Sequence, residues 1–254
     1  MNGSASSEPL PEEETPLQRQ TISLDLAAFE ERLHNLRNRI ENHLPDGGSQ
    51  PQIVAVSKYL SPADAQVLRD SGHTPLGENR AQELLARSDP GIGRDDWHFI
   101  GHLQRNKIHQ VIPRIGMLHS LDSTTLARSV NRWVDENDTR PLPCLIQVNI
   151  SGEGRKGGLD PSQALLEVPR WFEEFPSLVL KGLMTMPPRG PAEKCRGIFR
   201  MLRELRDRLQ DGIGAVEALG FQQLSMGMSS DWQIAVEEGA TILRIGRMLY
   251  QEVD

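Results

Sequence analysis

Residues 53–58, IVAVSK, end an apolar run on Lys58. An unpaired ammonium is costly to bury, so a lysine at the end of a buried strand must reach solvent, find an ion partner or be put to use. Two readings stand: a snorkelling or salt-bridged lysine, or an amine of lowered pKa that forms an imine with an aldehyde. Far along the chain, SMGMSSD (225–231) is a hydroxyl-rich turn opened by Ser225, Met226 and Gly227. It leads into a helix, and its backbone N–H groups can receive an anion. RIGR (244–247) then offers Gly246 and Arg247. A strand-end lysine beside such a cup describes a site for a phosphorylated aldehyde, provided the fold brings residue 58 next to residues 225–247.

The spacing of apolar residues supplies such a fold. Short apolar runs fall at 53–58, 74–79, 97–101, 117–123, 143–150, 179–186, 222–227 and 241–246. Helical stretches are predicted near 62–70, 80–87, 103–112, 124–138, 161–175, 192–211 and 230–238, several of them opened by Ser, Asp or Pro. Strand-helix alternation argues for parallel strands, and about eight of them argue for a TIM-like (β/α)8 barrel over an open doubly wound sheet. In a barrel all the strand ends meet on one face, where loops seven and eight usually hold phosphate. Nearly every run ends in a polar or backbone-exposing group: Lys58, Asn79, Gly101 and His102, Asp122 and Ser123, Asn149, Thr185, Ser225 and Met226, Gly246 and Arg247.

Leu24, Leu26, Phe29, Leu33, Leu36, Ile40 and Leu44 predict one amphipathic helix before the first strand. Residues 1–20 are polar, acidic and proline-bearing and are expected to be a disordered tail, leaving 21–254 as a single barrel domain. His98 alternates with Phe99 and is expected to be a packed strand histidine, whereas His102 and Lys107 face the rim or solvent. Lys156, in the glycine-rich segment 152–158, is either a solvated charge or a second ligand contact. RELRDRL (203–209) reads as a solvated helix face.

The net charge of -7 and pI near 5.6 give no general attraction to nucleic acid or anionic lipid. No apolar run approaches the roughly 20 residues of a membrane span, and a soluble, cytoplasmic protein is expected. Cys144 and Cys195 are too few and too isolated for a metal cage or a disulfide framework and are read as reduced thiols. No HExxH, CxxC pair, GxSxG or Walker loop is present, so metal hydrolase, serine hydrolase and nucleotide phosphotransferase readings have no support.

AVSKY (55–59), GENRAQE (77–83), WHFIGHLQRNK (97–107), HSLDS (119–123), QVNISGEGRKGGL (147–159), GLMTMPP (182–188) and SMGMSSDWQIAVEEGATILRIG (225–246) resemble the pyridoxal 5′-phosphate (PLP) homeostasis proteins. These are single-domain relatives of the alanine racemase N-terminal barrel, PLP proteins of fold type III. The resemblance implies that Lys58 carries PLP as a covalent aldimine, a Schiff base, and that Asn79 lines the pocket. It implies that Ser225, Met226, Gly227, Gly246 and Arg247 surround the phosphate and that Arg244 points at the pyridine nitrogen. Relatives commonly carry a small hydroxyl residue where this chain has Arg247. An arginine at the ring nitrogen opposes the protonation that makes PLP a strong electron sink. Alanine racemase draws its second proton-transfer residue from an added domain and a partner subunit, which a chain ending at Asp254 is expected to lack.

Three function classes follow. The leading one is a monomeric PLP carrier in intracellular PLP homeostasis, with little or no turnover and PLP-dependent apo-enzymes as candidate recipients. The alternatives are a low-activity PLP-dependent amino-acid racemase or lyase, and a cofactor-free Schiff-base aldolase using Lys58.

Overall fold

The computed structural model describes residues 21–137, 139–153, 157–188 and 190–252. The expectation for residues 1–20 and the question posed by Lys156 lie outside the described residues.

Eight parallel strands close into a barrel in sequence order: β1 (Gln52–Val56), β2 (Leu76–Glu78), β3 (Trp97–Phe99), β4 (Met117–Leu121), β5 (Leu142–Gln147), β6 (Leu178–Met184), β7 (Gln223–Ser225) and β8 (Ile242–Ile245). Closure pairs Ile53 with Leu243 and Val54 with Arg244, so the first and last strands are neighbours. The open doubly wound sheet is thereby excluded.

The helices are α1 (Leu26–Glu41), α2 (Pro62–Asp70), α3 (Ala81–Arg87), α4 (Ile108–Val111), α5 (Thr124–Glu136), α6 (Pro161–Glu174), α7 (Ala192–Asp211), α8 (Ala215–Gly220) and α9 (Trp232–Glu237). In α1 the side chain of Asp25 caps the first turn by accepting from Ala28 N at 3.0 Å, while Phe29, Leu33, Leu36 and Ile40 are buried at alternating spacings of four and three. Each such side chain contributes roughly 1.5–3 kcal/mol of transfer free energy. The helix predicted over 103–112 is broken into two 3-10 turns around the short α4, the second holding Pro113, which has no N–H to continue a helix. Helix α8, absent from the sequence reading, exposes Val216 and Leu219 and lacks the apolar stripe that would have announced it. The 203–209 face is only partly solvated, because Leu205 and Leu209 are buried and Arg203 pairs with Glu238.

The main core lies between the strands and the helix ring. A separate cluster of Val54, Met117, Leu145, Met184 and Ile242, drawn from five strands, packs apart from it. Cys144 and Cys195 are buried, and neither is in a disulfide among the described residues.

Candidate functional site

Strand β1 stops at Val56, and Lys58 sits in the 3-10 turn Ser57–Tyr59 that follows, not as the strand's last residue. The turn is anchored from beneath. Ser57 Oγ donates to Glu78 Oε1 at 2.6 Å, and Arg87 Nε lies 3.5 Å from the same oxygen. Burial raises the pKa of Glu78, while the Ser57 hydrogen bond and the Arg87 charge oppose the rise. The other oxygen, Oε2, has no partner among the described residues. Ile22 N donates to Tyr59 O at 2.8 Å and ties the segment before α1 to the turn. Lys58 itself is half-buried, with Nζ 5.1 Å from the centroid of the Tyr59 ring and no carboxylate pairing with it among the described residues. The salt-bridged reading of Lys58 therefore finds no partner.

Arg247 approaches the same ring. It is exposed, and its guanidinium carbon lies 5.4 Å from the Tyr59 centroid, which sets two basic side chains against one aromatic face or edge at the rim. Gly246 makes the approach possible, since a Cβ there would lie 3.0 Å from Tyr59 Cε2. The loops after β7 and β8 are joined by Gly246 N donating to Ser229 Oγ at 3.3 Å. Gly227 turns the chain out of β7 with φ of 91°, and an added Cβ would meet Ala235 Cβ at 2.5 Å. Within this loop Met228 N donates to Asp231 Oδ1 at 2.6 Å and Met226 N to Ile242 O at 3.1 Å. The N–H groups of Ser229 and Ser230 meet no acceptor among the described residues. Unpaired amides of this kind suit an anion with several oxygens.

Arg244 lies on the floor. It is 3 % exposed, and its Nη1 donates to Ser225 Oγ at 2.6 Å and its Nη2 to Thr185 O at 2.9 Å. No carboxylate lies within ion-pair distance among the described residues, and burial pushes its pKa down to about 10 against a smaller opposing pull from Asp231. The polar chain continues through Ser225 Oγ to His119 Nδ1 at 3.0 Å, and from His119 Nε2 to His98 Nδ1 at 3.0 Å. Strands β4 and β7 are not neighbours, so the contact between His119 and Ser225 must cross the barrel interior. Burial lowers the pKa of both histidines, that of His98 to about 4, so both are neutral near pH 7.

Beside β1 on the same face, Asn79 follows β2 with its Oδ1 buried and without a partner among the described residues. His102 is exposed, with Nδ1 2.9 Å from Asp122 Oδ2. Gln147 Nε2 donates to Gly157 O at 2.8 Å and draws the loop after β5 toward the mouth.

The face thus unites Lys58, Asn79, Gly227, Gly246 and Arg247 with Arg244 below them. Met226 is buried, with its amide spent on the β8 backbone, and Ser225 directs its hydroxyl to Arg244 and His119, beneath the loop in which it was expected to act. His98 is the packed strand histidine expected, and it has a polar partner inside the barrel. His119, Tyr59 and Glu78 escaped the sequence reading as individual residues. His119 was accessible to it in one respect: it stands two residues after Met117 in β4, on the same strand face.

Among the described residues, an arginine without a counter-ion, a lysine free of carboxylates and two unsatisfied loop amides form a donor set suited to an anionic, hydrogen-bonding aldehyde, and the Asn79 amide oxygen beside them is an acceptor without a partner. These residues fit PLP.

No family model matches the chain. A pyridoxal phosphate homeostasis protein of Aquifex aeolicus (strain VF5) is 38% identical over 228 residues, covering 87% of this chain and 97% of that protein. Among solved structures, PipY, the COG0325 family member of Synechococcus elongatus PCC7942, with PLP bound, superposes with a TM-score of 0.74 at 33% identity, covering 88% of this chain and 100% of that one. Alanine racemase of Clostridium difficile 630 superposes with a TM-score of 0.64 at 14% identity over 94% of this chain and 59% of that one, a likeness of fold alone.

Proposed function

The chain belongs to the pyridoxal phosphate homeostasis protein family, and from that premise we propose that it binds PLP, held covalently through Lys58 Nζ, as a carrier with little or no turnover. The observation that supports this reading best is Arg244, a buried guanidinium that meets only neutral acceptors among the described residues. Bound PLP supplies an aldehyde that condenses with amines and a ring that withdraws electrons most strongly when its nitrogen is protonated. Lys58 provides the amine, and the Ser57–Glu78 bond fixes the turn from which it projects. Arg244 would hold its positive charge and N–H donors toward the ring nitrogen of bound PLP, which would disfavour ring protonation and carbanion chemistry with it. The amides of Gly227, Ser229, Ser230 and Arg247, which meet no acceptor among the described residues, are the phosphate donors, with the Arg247 side chain at the rim, and Asn79 lines the wall. No helix of the described residues is long and apolar enough to cross a membrane. Within the same proposal the protein is cytoplasmic and monomeric and passes PLP to apo-enzymes.

Borohydride reduction of the purified protein, followed by peptide mass mapping, tests the attachment. The pyridoxyl group is expected on the peptide containing Lys58 and absent from Lys58→Ala. Recovery mainly on Lys107 or Lys156 overturns the assignment.

A further inference from the structure

Every polar contact of Ser225 Oγ among the described residues is on the floor of the barrel: Arg244 Nη1 at 2.6 Å and His119 Nδ1 at 3.0 Å. The residue is fully buried, so no bulk water completes its bonding. Arg244 can only donate, so one lone pair of Ser225 Oγ is taken and the hydroxyl proton must find an acceptor. Within reach that acceptor is His119 Nδ1. If His119 Nδ1 carried a proton instead, Ser225 would accept twice and its own proton would be left buried and unmatched, at a cost of roughly 1–3 kcal/mol.

The same reasoning passes along the chain. With Nδ1 accepting, neutral His119 carries its proton on Nε2 and donates to His98 Nδ1 at 3.0 Å. His98 is then also protonated on Nε2. That nitrogen is not among the buried atoms without a partner, and His98 retains 5 % of its exposure. Only one proton can lie between the two rings.

We propose that His119, with Ser225 and His98, is a positioning residue for Arg244: a one-directional relay of hydrogen bonds gives Ser225 Oγ only a lone pair to offer, and so locks the guanidinium. Thr185 O, accepting from Nη2 at 2.9 Å, fixes the second corner. Arg244 Nε, and one proton on each Nη nitrogen, have no partner among the described residues, which leaves the Nε edge for a ligand. What that edge meets rests on the PLP reading above; how it is held does not.

Two measurements test the inference. In the cofactor-free, 15N-labelled protein near neutral pH, long-range 1H–15N correlation should show both His119 and His98 as neutral tautomers protonated at Nε2. A proton on His119 Nδ1 overturns the relay. In the PLP-loaded protein, His119→Leu should shift the visible band and weaken cofactor binding about tenfold, as loss of a buried hydrogen bond would. His119→Asn, whose side-chain oxygen stands near the lost Nδ1, should recover binding to within about threefold. An unchanged band and affinity in a folded His119→Leu protein overturns the positioning role. The tautomers are read without cofactor, so their failure is distinct from failure of Lys58 to carry the pyridoxyl group.

Discussion

Lys58 on the rim and Arg244 on the floor are both basic side chains on the same end of the barrel, yet their surroundings differ in kind. Lys58 projects half-exposed from a turn, touches an aromatic ring and is tied through its neighbours Ser57 and Tyr59 rather than through its own amine. Arg244 is buried within a strand, and two of its nitrogens are fixed by named acceptors. A group that must form and break a covalent bond has to keep its reactive atom free, whereas a group that sets the electronics of a ring has to stay where it is. The contrast separates the reacting residue from the one that restrains reaction.

The largest expected effect comes from reversing the charge on the floor. Arg244→Glu should favour a protonated ring nitrogen and raise α-proton exchange on a bound amino acid at least about tenfold, with modestly weaker PLP binding. Deuterium incorporation into a panel of amino acids, followed by NMR, measures both proteins. Rapid exchange by the unmodified protein would favour the racemase alternative over the carrier. A mutant as slow as the parent would remove the electronic account of the floor.

A second effect, on stability and not on the chemistry of the site, is expected from acid. The pKa of His98 falls from 6.5 to about 4 on folding, so between those values the unfolded chain binds a proton that the folded protein refuses. Stability should therefore fall as pH drops from 6.5 toward 4, and the His98 share is about 3 kcal/mol. His119, shifted in the same direction, adds to the slope. Denaturant titrations across this range should show a shallower slope for His98→Leu. An equal slope would mean that His98 is not an acid-sensitive group of the floor.

The smallest effect is expected at the rim. The Ile22 N to Tyr59 O bond is made by a residue beyond position 20. Deleting residues 1–20 should leave the PLP spectrum unchanged and the melting temperature within about 1 °C. A loss of several degrees, or of the chromophore, would tie the rim to that segment.

Much of this was legible in order along the chain. The eight apolar runs became eight strands because each is a short buried segment bounded by turn residues, and the match is close even where ends moved by up to three residues. Lys58 was legible because lysine is a costly residue to place after IVAVS. Gly246 was legible as a residue, but its reason, the ring of Tyr59, comes from a segment far away in sequence. Ser225 shows the limit of motif reasoning: a hydroxyl in a phosphate-like turn reads as a phosphate ligand, and the structure engages it with an arginine and a histidine.

By itself, the sequence determined the strand-helix period, the acidic balance, the family motifs and the lysine just beyond the first strand, because these are properties of neighbouring residues. Only the tertiary structure decided that β1 closes on β8, that Arg244 lacks a counter-ion among the described residues, and that His98, His119, Ser225 and Arg244 form one line across the barrel. Those facts join residues from strands far apart in the chain. The direction of a side chain into a closed interior is set by strand register and barrel closure, which local spacing does not encode.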